Sequence, residues 1–172
     1  AVAQAQIRRS RRVVTLTSAC AGYVSASTGR RPTVAPVTGG LTGWGSPSPR
    51  AALSSGGKPA LVVGTVTWFK RPLMALDTIA RHRPDVRQVV FAGSDDGSGC
   101  WAAVQQRAKE LGLVIDRIQV AHGQMPQVYR EASVCVLLSE LESLGFALAE
   151  ALSECSDVIA SPIPAHREIA QR

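Results

Sequence analysis

The chain has 172 residues, the size of one ordinary domain, and 45% of them are hydrophobic, which is enough to bury a core. No apolar run is long enough to span a membrane. The four cysteines (Cys20, Cys100, Cys135 and Cys155) have neither CxxC nor metal-ligand spacing, so they are expected to be free thiols of a cytoplasmic protein with no bound metal.

The net charge of +6 is unevenly placed. Residues 1–76 hold no Asp or Glu, and all 13 acids fall between Asp77 and Glu168. An acid-free start rich in Arg and Ser resembles an organelle transit peptide, and a basic arm could hold nucleic acid. Against both, Val13 to Thr17 and Thr33 to Pro36 have strand character, and no aromatic residues interleave with the early arginines. The stretch is expected to be a solvated basic surface or a severed part of another domain, with no nucleic-acid partner.

In chain order, residues 1–10 form a short helix or a frayed end. Val13 to Ser18 is a strand, Ser18 caps a helix running through Tyr23 and Val24, and Gly29 ends it. Arg31 to Pro36 is a second short strand. Residues 38–58 are rich in Gly, Pro and Ser and form a linker, and their glycines do not fit a GxGxxG fingerprint.

From Pro59 an α/β rhythm begins, which predicts a parallel sheet. Ala60 to Val66 is a Val-rich strand. Pro72 opens a helix with Leu73, Leu76 and Ile79 on one side, stopped before Pro84. Arg87 to Ala92 is a strand, followed by the loop Gly93–Gly99. A helix then carries Trp101, Val104, Ala108 and Leu111 on one stripe, with Gly112 as its stop. Ile115 to Ala121 is a strand and Met125 to Ala132 a short helix. Val158 to Ser161 is a further strand, and a helix opens at Ile163 and is cut off at the chain's end.

The stretch that organises this pattern is Val134 to Leu152. It starts with the apolar run Val-Cys-Val-Leu-Leu, a strand buried on both faces, and passes through a polar join into a helical pattern from Leu144. In open α/β sheets such a join is where ligands bind. Ser143 is a suitable N-cap, the amides of Leu144, Gly145 and Phe146 would then meet an anion, and Gly145 lets a ligand approach the backbone. Glu150 would share a helix face with Ser143, Phe146 and Ala147, so Glu142 and Glu150 could address one pocket.

Glu142-Ser-Leu-Gly-Phe-Ala-Leu-Ala-Glu150 is similar to the Glu-x7-Glu motif of retaining glycosyltransferases of the GT-B fold, family 4-like members of glycosyl transferases group 1. Val62-Val-Gly-Thr-Val-Thr-Trp-Phe-Lys70-Arg71 resembles the first strand and loop of their donor-binding domain. Met125-Pro-Gln-Val-Tyr129 looks like their short helix before the central strand, and Val158 to Glu168 like their next strand and helix start. Thr65 stands where an arginine after the glycine is common, and residues 37–40 depart from the family's interdomain segment. Glu154-Cys-Ser-Asp157 replaces the family's usual turn with Gly and Pro.

The resemblance implies a Rossmann-like parallel sheet flanked by helices, the donor-binding domain at 59–172. Residues 1–37 would be a remnant of the acceptor domain and 38–58 a linker. It implies transfer of a sugar, with retention, from a nucleoside diphosphate sugar to a hydroxyl acceptor (a glycan, lipid or small molecule), without a cofactor or metal. Glu142 would work at the reacting face of the sugar and Glu150 at the ribose. Lys70, assisted by Arg71 and the amides near Gly145 and Phe146, would hold the diphosphate. Gly64, His122, Ser143 and Leu144 are further candidates for donor contact. Tyr129 is assigned to packing, Glu168 to a helix dipole or a functional role, and His82 to solvent. The full-length enzyme could associate peripherally with a membrane, and the chain alone would be inactive. Two other readings remain open: a nucleotide-binding module without transfer activity, and a doubly wound domain binding another phosphorylated ligand.

Overall fold

A computed structural model describes residues 2–15, 17–35 and 57–171. Most of the expected linker, residues 38–56, lies outside the described residues. The chain divides into two compact units. One comprises Ala1–Gly40, Leu141–Gly145 and Pro162–Arg172, and the other Leu41–Glu140 and Phe146–Ser161. These bounds differ from a simple division at the linker, because the helix that follows Pro162 groups with the N-terminal residues.

In the smaller unit, α1 (Val2–Arg9) is followed by β1 (Val14–Thr15), α2 (Ser18–Thr28) and β2 (Thr33–Val34), with β1 and β2 parallel. The cap of α2 is Thr17, one residue earlier than expected, and its Oγ1 accepts the amide of Cys20 at 3.1 Å. Gly29 ends the helix as expected, at φ 73°. Arg30 donates to the carbonyls of Ser10 and Arg11, so this arginine stitches backbone together. α7 (Pro164–Ala170) packs against α2 in the same unit.

The larger unit contains β3 (Ala60–Val63), α3 (Pro72–His82), β4 (Gln88–Ala92), α4 (Cys100–Leu111), β5 (Val114–Ile118), α5 (Met125–Glu131), β6 (Val134–Leu137), α6 (Phe146–Glu154) and β7 (Val158–Ala160). The five strands make one parallel sheet in the order β5-β4-β3-β6-β7. The inner strands are continuous apolar runs because helices cover the sheet. Val134, Cys135 and Val136 of β6 are fully enclosed, as are Val89 and Val90 of β4. Leu76 and Ile79 of α3 and Val104 of α4 complete the core, and Phe91 meets Trp101 edge to face at 5.4 Å.

β3 is shorter than the expected Ala60–Val66. Gly64, at φ 113°, turns the chain out of the extended conformation. β5 also stops early, and as an edge strand it carries Asp116 and Arg117 exposed, which discourages pairing with another chain. All four cysteines are free thiols, two of them buried. Among the described residues no helix is long and apolar enough to cross a membrane.

Candidate functional site

From β3 the chain moves one way across the sheet through β4 and β5, then returns to β6 and proceeds the other way to β7. The strand order therefore reverses between β3 and β6, and a crevice is expected beyond their carboxyl ends. The loops that follow these two strands carry most of the residues singled out in the sequence.

After β3, the amide of Gly64 donates to the carbonyl of Ala92 and that of Val66 to Ser94. A 3-10 turn, Trp68–Lys70, leads to Arg71 and α3. Lys70 doubles back over Gly64. A Cβ added at Gly64 would lie 3.5 Å from Lys70 Cε and 3.6 Å from Nζ, and Nζ sits 5.8 Å from the centre of the Phe69 ring. The ammonium is thus placed at the end of β3. Thr65, at the position where the family commonly has arginine, bonds its hydroxyl to Ser94 at 3.1 Å and supplies no cation.

Arg71 is the one non-glycine residue with positive φ among the described residues, at 51°. Its Nε meets Glu140 Oε1 at 2.8 Å, and the Glu140 amide donates to the Phe69 carbonyl at 2.7 Å, so the loops after β3 and β6 are tied together. Both side chains are about half exposed, so the pair contributes ~0–1 kcal/mol. Trp68, Arg71, Pro72, Leu73 and Met74 line an open depression of about 350 Å³ beside this loop.

Beyond β6, the expected N-cap is corrected. α6 begins at Phe146, not Leu144, and Gly145 precedes it with φ 69°. That left-handed residue separates Ser143 from the helix, so Ser143 neither caps it nor shares a face with Glu150. Phe146 and Ala147 do lie four and three residues before Glu150 on the helix. Glu150 is only 9% exposed. Its Oε2 accepts the hydroxyl of Tyr129 at 2.8 Å, and that hydroxyl also lies 3.3 Å from the Ala147 carbonyl. Burial, followed by the neighbouring Cys135 and Glu150, pushes the phenol well above its ordinary range, so it stays protonated. Arg130 and Glu154, 2.6 Å apart, add a second tie between α5 and α6.

Glu142, Ser143, Leu144 and Gly145 belong to the smaller unit, whereas Glu150, Phe146, Lys70, Arg71 and Gly64 belong to the larger. Within the smaller unit, the Ser143 carbonyl accepts Thr17 Oγ1 at 3.1 Å and Cys20 Sγ at 3.3 Å. Gly145 is buried, and a Cβ there would meet Ile169 Cδ1 at 2.8 Å and His166 Cδ2 at 3.4 Å. The room that glycine leaves is therefore filled by α7, where the sequence reading assigned it to a ligand. Glu168 lies outside the first turn of α7, so it does not serve that helix's dipole; its Oε2 accepts the amide of Ser18 at 3.0 Å, at the start of α2.

His122 is exposed in a 3-10 turn after the edge strand β5, and His166 is buried in α7. No group of three metal-ligating side chains occurs among the described residues. Sequence reasoning passed over Glu140 and the hydrogen bond of Tyr129. The signal for Glu140 was its place, three residues past the end of β6 at the reversal of strand order.

Residues 57–172 match the family model described as glycosyl transferases group 1. No curated protein matches the chain. Among solved structures, Anabaena Alr3699/HepE in complex with UDP and glucose is 18% identical, with a TM-score of 0.75 over 96% of this chain and 50% of that one. Sucrose-phosphate synthase from Thermosynechococcus elongatus is 20% identical, with a TM-score of 0.69 over 94% and 43%. The pneumococcal O-GlcNAc transferase GtfA in complex with UDP and GlcNAc is 18% identical, with a TM-score of 0.58 over 90% and 31%. The chain spans half or less of each of these three, and at such identities the likeness shows the fold.

Proposed function

The chain belongs to the glycosyl transferases group 1 family, and we propose that, within the full-length enzyme, it binds a nucleoside diphosphate sugar whose sugar is transferred with retention to a hydroxyl acceptor. Two of the similar structures hold UDP, which supports a donor of this class. The observation that carries the reading is Lys70, whose ammonium lies over Gly64 at the end of β3, beside the reversal of strand order.

A departing nucleoside diphosphate gains negative charge, and a cation fixed in advance at that position stabilises it. Lys70 takes this role, with Arg71 as a second cation in place of the arginine that Thr65 lacks. Glu150 accepts the ribose hydroxyls, and Glu142 acts at the reacting face of the sugar. The two cations supply the positive charge without a metal or cofactor. Free thiols suit a reducing, cytoplasmic setting. Because transfer needs both walls of a cleft and the chain spans half or less of the similar enzymes, the 172 residues alone are expected to bind donor without turning it over.

The test is calorimetric titration of the full-length protein. Lys70→Ala should weaken a nucleoside diphosphate by about 1.5–3 kcal/mol, the scale of a charged hydrogen bond, and leave the free nucleoside almost unchanged. Equal loss for both ligands, or no loss, would remove Lys70 from the diphosphate site.

A further inference from the structure

Glu150 is a buried carboxylate that forms no ion pair with any described residue. Its one side-chain hydrogen bond among them is the 2.8 Å contact from the Tyr129 hydroxyl to Oε2. Tyr129 is fully enclosed, and its hydroxyl sits between that carboxylate and the Ala147 carbonyl one turn earlier in α6. A residue needed only to fill this space could be phenylalanine, since a buried hydroxyl is tolerated only with a partner.

We propose that Tyr129 is the positioning residue of Glu150: its hydroxyl holds Oε2 so that the carboxylate meets the vicinal hydroxyls of a ribose in one fixed orientation. This rests on the reading that Glu150 takes the ribose. A neutral donor suits the task better than a cation would. An arginine or lysine at hydrogen-bonding distance would compete for the carboxylate charge that the ribose hydroxyls need, whereas a phenol occupies one oxygen and leaves the charge in place. Burial keeps that phenol protonated, so it remains a donor at neutral pH. The Arg130–Glu154 pair is a second link between the same two helices.

The experiment uses the full-length protein and whichever of UDP, GDP and ADP it binds most tightly, titrated beside the 2′-deoxy form. Wild type should prefer the ribo form by about tenfold or more, the scale of one hydrogen bond to a charged group. Tyr129→Phe keeps the ring and should cut that preference to about threefold or less, with deoxy affinity nearly unchanged. Equal weakening of both ligands, with the preference intact, means a packing role only and overturns the inference while the ribose assignment stands. No preference in wild type overturns the ribose assignment and this inference with it. If Tyr129→Phe loses its cooperative melt, Tyr129 is replaced with 3-fluorotyrosine, a stronger donor of the same shape. A shifted ribo-to-deoxy ratio then supports the inference, and an unchanged ratio overturns it.

Discussion

Gly93 and Gly64 meet backbone to backbone at the ends of β4 and β3, so closely that a Cβ on Gly93 would fall inside the van der Waals surface of the Gly64 carbonyl. This contact sets the course of the loop that carries Lys70. Gly93→Ala forces apart backbone atoms that have no rotamer to escape into, and should destabilise the protein by about 1–3 kcal/mol. Gly22 is the opposite case: it is exposed inside α2 with nothing within 4 Å of an added Cβ. Gly22→Ala should therefore stabilise by about 0.5–1 kcal/mol. Urea denaturation of both variants checks the signs, and a neutral Gly93→Ala would show that the two loops can separate at little cost.

Arg71 pairs with Glu140 while its backbone stays left-handed, a conformation that costs an L-residue about 1–2 kcal/mol. Strain of this kind persists where the surrounding structure enforces it, often at binding sites. Two substitutions separate strain from charge. Arg71→Gly should be more stable than Arg71→Ala by about 1 kcal/mol, because only glycine relaxes at φ 51°. Both should weaken nucleoside diphosphate to a similar degree if the guanidinium is the second cation. Undiminished binding in both would leave the arginine with only its ion pair to Glu140.

Burial pushes the Cys135 thiol well above its ordinary value of 9.0 and raises Tyr129 far above 10.0. Both are acids that stay neutral in the fold and ionise in the unfolded chain. Below the unfolded values their contribution to stability is complete. Above pH 9 the unfolded state loses protons that the folded state keeps, so stability falls, by up to about 1.4 kcal/mol per pH unit for each group. Buried Cys100, raised chiefly by desolvation, adds in the same direction. Cys135→Val removes one of these groups and should flatten the loss between pH 9 and 10. Denaturation series at both pH values would show it, and an unchanged slope would mean that the thiol ionises freely in the fold.

Much of this arrangement was legible from local signals. α4 and its Gly112 stop followed from a stripe of apolar residues and a glycine that ends at φ 66°. β4 and β6 followed from uninterrupted apolar runs, since strands buried on both faces need no alternation. The start of α6 was not legible: Ser-Leu-Gly is compatible with a first helical turn, and the side chains that crowd Gly145, Ile169 and His166, are more than 20 residues away. Tyr129 is separated from Glu150 by 21 residues and Arg71 from Glu140 by 69, so neither pair has a sequence signature. The motif located the carboxylates; only the packing of α5 on α6 revealed what holds one of them.

Glu142 and Glu150 are eight positions apart in sequence yet belong to different units, and their expected roles differ accordingly. A carboxylate bridging two vicinal hydroxyls loses one partner when the 2′-OH is absent. The wild-type full-length protein should bind a 2′-deoxynucleoside diphosphate more weakly than the ribo form by roughly 1–3 kcal/mol. Glu150→Ala should largely erase that difference, because without the carboxylate the 2′-OH of the ribo ligand has no partner there to lose. Glu142→Ala should retain the difference and lose sugar transfer, since its assigned place is the reacting face. Glu150→Ala also leaves the buried Tyr129 hydroxyl with only the longer contact to the Ala147 carbonyl, at about 1 kcal/mol of stability, so its melting point must be read alongside its binding. If a well-folded Glu150→Ala still prefers the ribo form, Glu150 serves the α5–α6 interface through Tyr129, and the ribose is held by other residues.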